Sequence, residues 1–124
     1  MDEQNKVIIY TASDGQTKID VKLEDETLWL MQAQMCELYQ TSRTNVVEHI
    51  KHIYEEGELD KEATCRNFRQ VREEGGRKVE REMTFYNLDM IIALGYRVRS
   101  IIATRFRQWA TLRLKEYMVK GFTL

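Results

Sequence analysis

The sequence predicts an α+β fold: a winged-helix-like helix-turn-helix domain with an N-terminal β-hairpin, a β-ribbon wing and C-terminal helices. Two segments of alternating apolar and polar residues come first, and an Asp-Gly pair between them is typical of a hairpin turn. Two short segments with apolar residues at helical spacing follow. A Gly-Gly reversal between two highly charged strands then precedes a pair of apolar helical segments.

The chain has 124 residues, which fits one domain of ordinary size with its own hydrophobic core. Its 43% hydrophobic and 31% charged residues are typical of a globular protein. We find neither a signal peptide nor a run of about 18 apolar residues, so we expect a cytoplasmic protein with no membrane partner. On that view Cys36 and Cys65 are reduced thiols. The chain stops at Leu124 without a polar tail, which indicates an N-terminal fragment of a longer protein.

The first predicted strands are Lys6–Thr11 and Lys18–Leu23, separated by a loop that contains Asp14-Gly15. Three apolar residues of the second strand alternate with polar ones, which predicts one buried and one solvated sheet face: Ile19, Val21 and Leu23. Residues Leu28–Leu30 are predicted to form either a short strand or the start of a helix, and in both cases Trp29 is expected to pack in the core.

Residues Met31–Ile53 are the most informative stretch, because they predict two short helices joined by a tight corner at Tyr39–Ser42. The inward face of the first helix comprises Met35, Leu38 and Tyr39. The inward face of the second helix comprises Val46, Ile50 and Ile53. A hydroxyl of Thr41 or Ser42 can cap the second helix. Gln40 stands where many such corners have Gly, so we expect another conformation or some strain there.

The solvent-facing side of the second helix predicts contacts with DNA. Its residues are Arg43, Thr44, Asn45, Val47, Glu48 and Lys51. Arginine, asparagine and lysine side chains reach base edges and phosphates in a major groove. Two helices at this spacing also occur inside ordinary helical domains, so a purely structural role stays open.

Residues 64–86 form a second predicted β region, in which Glu74-Gly75-Gly76 reverses the chain. The ribbon offers five candidate phosphate contacts: Arg66, Arg69, Arg72, Arg77 and Lys78. In a winged-helix domain such a ribbon touches the sugar-phosphate backbone. The alternative is a solvated hairpin whose cross-strand Arg–Glu pairs hold its register.

Two helices are predicted at the end of the chain, over residues 87–98 and roughly 100–120. Asn87 is predicted to cap the first of these helices, and Gly95 is expected to lower the stability of that helix because glycine has a low helix propensity. The apolar face of the last helix comprises Ile102, Ala103, Phe106, Trp109, Ala110, Leu112, Leu114, Tyr117 and Met118. Two arginines of this helix are candidates for a contact with DNA: Arg105 and Arg107.

The net charge of −1 conceals a strong asymmetry. Residues 1–60 hold 5 Lys/Arg and 13 Asp/Glu, whereas residues 61–124 hold 14 Lys/Arg and 7 Asp/Glu. The second half is therefore better suited to a polyanion such as DNA. Acidic residues lie at the far end of the second helix of the Met31–Ile53 pair, the helix predicted to contact DNA. They argue against a simple DNA-binding surface, unless they face away from the groove. Alternatively, the two halves attract each other within the fold or in a homodimer.

Several runs of residues resemble the N-terminal part of the RhuM family of bacterial virulence-associated and mobile-element proteins. The most specific runs are FYNLD (85–89), ALGYRVRS (93–100), ATRFRQWA (103–110) and LKEY (114–117). Residues 7–50 and 53–60 also resemble the family, so the likeness covers nearly the whole chain. A looser similarity to the DNA-binding domains of phage antirepressors of the KilA-N and Bro-N kind rests on the Leu-Gly-Tyr and Phe-Arg-x-Trp-Ala patterns.

The resemblance implies a helix-turn-helix domain that binds double-stranded DNA. It also implies a further C-terminal region, since members of the family are usually longer. By carry-over, the implied reading positions are Ser42, Arg43, Thr44, Asn45, Glu48 and His49. It implies no catalytic residue.

Other chemistry is poorly supported. His49 and His52 could join Cys36 and Cys65 in a zinc site, but the tight Cys-x-x-Cys pair of structural sites is missing. We therefore expect no metal, no cofactor and no catalytic residue in these 124 residues. The leading prediction is a DNA-binding domain. The alternatives are a protein-interaction or dimerisation module and a targeting domain for a C-terminal toxin or enzyme.

Overall fold

A computed structural model of the protein describes residues 6–123, with side chains described up to Met118. The strands are β1 Lys6–Thr11, β2 Lys18–Glu24, β3 Thr27–Leu30, β4 Cys65–Glu74 and β5 Arg77–Asn87. The helices are α1 Gln32–Tyr39, α2 Arg43–Glu55, α3 Lys61–Thr64, α4 Leu88–Val98 and α5 Ser100–Thr123. The predicted α+β class is confirmed. Leu124, on which the expectation of a longer protein rests, lies outside the described residues.

The five strands form one antiparallel sheet in the order β1-β2-β3-β5-β4. The predicted N-terminal hairpin is present, with Ile8 opposite Val21. Its predicted alternation is also confirmed, because Ile19, Val21 and Leu23 are buried while Asp20 is exposed. One face of the sheet therefore carries core residues.

Residues Leu28–Leu30, which the sequence left between strand and helix entry, belong to strand β3. The chain reverses into β3 at Asp25 and Glu26, whose φ angles of 55° and 61° are left-handed. Strand β3 then pairs with β5, where Leu30 lies opposite Tyr86. This short pairing joins the N-terminal hairpin to the ribbon in one continuous sheet.

Helices α1, α4 and α5 pack on the buried face of the sheet. Helix α5 contributes Ala103, Phe106 and Ala110, all 0% exposed, to this core. The predicted apolar face of α5 is wrong at Leu112 and Met118, which are 61% and 47% exposed. Leu112 follows Ala110 by two residues, a rotation of about 200° around the helix, so it points away from the sheet.

The opposite face of the sheet carries an aromatic cluster. Trp29 and Phe85 each contact the ring of Phe68 edge to face, with centroids 5.2 and 5.3 Å apart. Arg66 lies over the Trp29 ring at 4.6 Å, and Lys22 lies over the Phe68 ring at 4.7 Å. These contacts fix the base of β4 against β3.

The ends of the helices follow from local hydrogen bonds. Asn87 caps α4 as predicted, because its side-chain oxygen accepts the N–H of Met90 at 3.3 Å. Gly57 ends α2, with a left-handed φ of 77° and its N–H bonded to the Tyr54 carbonyl oxygen. The single turn of α3, capped by Asp60, was not predicted from the sequence.

Candidate nucleic-acid interface

The corner between α1 and α2 is fixed by Tyr39, the last residue of α1. Its ring is fully buried, and its hydroxyl donates a 2.7 Å hydrogen bond to the carbonyl oxygen of Ile91 in α4. Burial raises the pKa of the Tyr39 hydroxyl, so this donor keeps its proton. Gln40 follows with φ 53° and ψ 54°, the left-handed conformation that favours Gly. The strain expected at this corner is therefore present.

Two arginines at the end of α4 hold the helix pair. Arg99 donates from Nε to the carbonyl oxygen of Tyr39 at 2.9 Å, next to the corner. Arg97 pairs through Nη2 with the carboxylates of Glu56 and Glu58, at 2.7 and 2.8 Å, just beyond α2. The hydrogen bond and charge of Arg97 lower the pKa of the Glu56 carboxyl. Part of the acidic charge beyond the predicted reading helix is thus paired within the fold.

Helix α2 turns its apolar face into the core and leaves a polar face exposed. Its buried residues are Val46, Ile50 and Ile53, as predicted. Among the predicted DNA contacts within α2, the exposed residues are Arg43, Thr44, Glu48 and Lys51, and Ser42 just before the helix is exposed as well. Val47, predicted to face solvent beside them, is 40% exposed. A contiguous exposed face is therefore available along α2.

The other predicted contacts of α2 are partly engaged by the fold. The Ser42 hydroxyl accepts the N–H of Asn45 at 3.0 Å, so Ser42 is the cap of α2. The Asn45 side chain donates to the Thr41 hydroxyl at 2.8 Å and is half-buried. His49 is also half-buried, and its Nδ1 atom is buried without a hydrogen-bond partner. The four exposed residues within α2, whose side chains are not engaged in capping the helix, are consequently the better-placed contact candidates.

The arginines of the ribbon differ in how they are paired. Arg66 forms an ion pair with Asp25, and Arg69 lies 3.6 Å from a carboxylate oxygen of Glu80. Arg81 pairs with Glu74 through two hydrogen bonds of 2.7 and 2.9 Å. Three cations form no ion pair within the described part of the chain: Arg72, Arg77 and Lys78. The predicted cross-strand Arg–Glu pairs are present, and they leave unpaired cations at and near the Gly75-Gly76 turn.

The ribbon also divides its cations between two faces. Because alternate residues of a strand point to opposite faces, Arg66, Arg72 and Arg77 share the face of Phe68 and Phe85. The remaining two predicted contacts, Arg69 and Lys78, share the face of Tyr86, which packs toward the helices. The five residues predicted together are thus not on one surface.

A cleft of about 570 Å³ separates the start of α2 from strand β5. Arg43 lines the cleft together with Glu82 and Thr84 of β5, and the half-buried Cys36 also lines it. Burial raises the pKa of the Cys36 thiol, which makes it a poor nucleophile at neutral pH. The start of α2 and the helix-facing side of the ribbon therefore border one surface.

The two arginines of α5 have different neighbours. Arg105 donates to the Ser13 hydroxyl in the β1–β2 loop at 3.0 Å. Arg107 donates to the Tyr96 hydroxyl at 3.2 Å, which lowers the pKa of that hydroxyl. Arg105 lies beside the corner that precedes α2, because Gln40 lines the same cleft. The structure therefore places Arg105, and not Arg107, next to the helix pair.

Two residues that organise this surface, Arg97 and Arg99, were not predicted from the sequence. Both stand in the ALGYRVRS run, and their basic character was visible. Their partners are about 40 and 60 positions away in the chain. No local pattern indicates such a pairing.

Two further findings concern the described residues 6–123. No group of three or more His, Cys, Asp or Glu side chains is arranged there to hold a metal ion. None of the helices there has the length and apolar content needed to cross a membrane.

A sequence model described as "Virulence protein RhuM family" matches residues 63–124. This stretch contains the ribbon, α4 and α5, and it starts after α1 and α2. No curated protein and no solved structure shows a significant match.

Proposed function

Because the chain belongs to the virulence protein RhuM family, we propose that it is a winged-helix domain that binds double-stranded DNA. In this proposal α2 enters the major groove and the β4–β5 ribbon is the wing. The observation that carries it is the shared cleft, which is lined both by Arg43 at the start of α2 and by Glu82 and Thr84 of strand β5 in the ribbon. A recognition helix beside a basic ribbon is what a winged-helix interface requires.

The family match also bears on the helix pair that precedes it. Arg97 and Arg99 lie within the matched residues and hold that pair at two points, Arg97 at Glu56 and Glu58 beyond α2 and Arg99 at Tyr39 beside the corner. The matched half therefore supplies contacts that hold the corner before α2 and the residues just beyond its end. This coupling supports a single DNA-binding unit.

The exposed and unpaired side chains define the proposed contacts. From α2, Arg43, Thr44 and Lys51 would reach base edges and phosphates. From the ribbon, Lys78 on the helix-facing side and Arg77 on the opposite face beside the same turn would touch phosphates, since neither forms an ion pair with a described carboxylate. Arg66 and Arg69 are paired with Asp25 and Glu80 and would contribute less.

The direct test is a fluorescence-anisotropy titration of the protein with a random duplex at several salt concentrations. The logarithm of the affinity should fall linearly with the logarithm of salt concentration, because bound cations release counterions from DNA. No measurable affinity at about 50 mM salt would contradict the proposal. Selection from a randomised duplex library would then show whether one sequence is preferred.

We further propose that the domain acts as a homodimer or as one arm of a larger protein. One α2 helix reads few base pairs, and specific DNA binding usually adds several kcal/mol to the non-specific term. Gel filtration with light scattering measures the mass directly. A strict monomer that binds a single site tightly would contradict this part of the proposal.

A protein-interaction module is the second candidate function. Its support is three exposed apolar side chains near the α4–α5 junction and along α5: Tyr96, Ile101 and Leu112. An interaction module would show no salt-dependent affinity for random DNA, so the same titration separates the two candidates. A targeting role for a C-terminal toxin or enzyme is compatible with either candidate.

A further inference from the structure

A second cleft, of about 280 Å³, lies on the other side of the corner that precedes α2. It is bordered by the β1–β2 loop, by Gln40 of the corner and by the first turns of α5. The polar residues that matter among its lining are Ser13, Thr17, Gln40, Arg99 and Arg105. Two guanidinium groups therefore border one small cleft.

Both guanidinium groups keep free donors. Arg99 uses Nε on the Tyr39 carbonyl oxygen, and Arg105 uses Nη1 on the Ser13 hydroxyl. Both acceptors are uncharged, and neither arginine forms an ion pair with any described carboxylate. A guanidinium has five N–H donors, so most of the donors of each group remain for a ligand. The hydrogen bonds already made hold the two groups in place.

The lining includes one carboxylate, that of Asp14, and its oxygens are engaged by the loop. One oxygen accepts the N–H groups of Gln16 and Thr17 at 2.8 Å each, and the other accepts the Thr17 hydroxyl at 2.7 Å. These hydrogen bonds lower the pKa of the Asp14 carboxyl. Asp14 thus stabilises the turn, and the net charge of the two arginines and this carboxylate remains positive.

We propose that the Arg99–Arg105 cleft binds a phosphate oxyanion. Arginine matches phosphate geometry with paired N–H donors, and two arginines with a neighbouring hydroxyl suit its several oxygens. Gln40 and Tyr39 lead directly into α2, so a phosphate here lies beside the start of that helix. The phosphate has two possible sources. It is a backbone phosphate of DNA bound by α2, an assignment that rests on the proposed function, or it belongs to a free phosphorylated ligand.

The test uses Arg105→Gln, because Arg105 is exposed and its one described side-chain hydrogen bond reaches a loop hydroxyl. The matched control is Arg113→Gln in the same helix, where Arg113 pairs with Glu116 and lies away from the cleft. With random duplex DNA, Arg105→Gln should lose about tenfold in affinity and lower the salt slope by about one. The control should change neither quantity by a comparable amount. Thermal unfolding verifies that both variants are folded.

A second arm titrates inorganic phosphate into the protein without DNA and follows ³¹P line broadening. Loss of DNA affinity in Arg105→Gln without phosphate binding supports a backbone phosphate as the occupant. If Arg105→Gln abolishes phosphate binding while DNA affinity is unchanged or absent, the occupant is a free phosphorylated ligand. If the unmodified protein has no DNA affinity at all, that result separately refutes the proposed function. An Arg105→Gln variant that matches Arg113→Gln in both arms overturns the phosphate site.

Discussion

A Cβ atom placed on Gly95 of α4 would lie 2.2 Å from the hydroxyl oxygen of Tyr39 and 2.7 Å from the Cβ of Ala103. Any residue can adopt the helical backbone conformation of Gly95, so the backbone does not require glycine. Close packing around its Cα requires it instead. The absence of a side chain lets Tyr39 reach the Ile91 carbonyl oxygen between α4 and α5. The hydrogen bond from Tyr39 to Ile91 thus helps to hold the α1–α2 pair against the C-terminal helices α4 and α5.

Gly95→Ala should destabilise the protein by about 2 kcal/mol. Overpacking a tight core costs about 1–3 kcal/mol or more, which exceeds the roughly 1 kcal/mol of helix propensity that Ala gains. Urea unfolding measures the change. Combining Gly95→Ala with Tyr39→Phe, which removes the closest atom, should cost less than the sum of the single changes. Strict additivity would contradict the assigned contact.

Gln40→Gly should stabilise the protein by up to about 1 kcal/mol, because Gly adopts the left-handed backbone of Gln40 without steric cost. The control is Glu37→Gly at an exposed position inside α1, which should lose about 1 kcal/mol. The free energy of unfolding in urea distinguishes them. Equal losses from the two glycines would show that the corner is unstrained in solution.

The Arg97 contact with Glu56 should make the stability of the protein depend on acid pH. The folded pKa of Glu56 is lowered, so its contribution is present above the unfolded pKa, near 4.3, and is lost as pH falls through the folded value. Arg97→Gln should therefore lower the melting temperature at pH 7, and the gap from the unmodified protein should shrink below about pH 4. In the control Arg113→Gln, a local pair with Glu116 is lost within one helix, and the gap should be smaller at pH 7. A gap for Arg97→Gln that is constant from pH 7 to pH 3 would refute the ionic origin.

Arg43 and Lys78 should contribute differently to DNA binding. Arg43→Ala should relax sequence preference by about 1–3 kcal/mol at one position, because Arg43 lies at the start of the proposed reading helix. Lys78→Gln should weaken binding to all sequences and reduce the salt slope by about one. Anisotropy with a selected and a scrambled duplex measures both. Arg81→Gln is the control, since Arg81 is already held by Glu74, and an equal loss in Lys78→Gln and Arg81→Gln would contradict the assignment.

Local patterns predicted most of the elements. The Ser42 cap and the Asn87 cap each depend on residues within four positions, and both are confirmed. The hairpin and the ribbon were predicted from alternation and turn residues for the same reason. The site was predicted less completely. Arg66 and Arg69 were predicted as phosphate contacts, but in the fold they form ion pairs with carboxylates.

The sequence by itself determined the order of all elements except β3 and α3, the caps of α2 and α4, the two hairpin turns, and the inward faces of α1 and α2, because these depend on neighbours along the chain. Tertiary structure decided that β3 joins the hairpin to the ribbon, that Arg97 and Arg99 hold the helix pair, and that the ribbon cations divide between two faces. It also decided that Gly95 makes room for Tyr39. The partners in these contacts are set by how the sheet and the helices pack in space. Residue spacing along the chain does not indicate which distant residues come into contact.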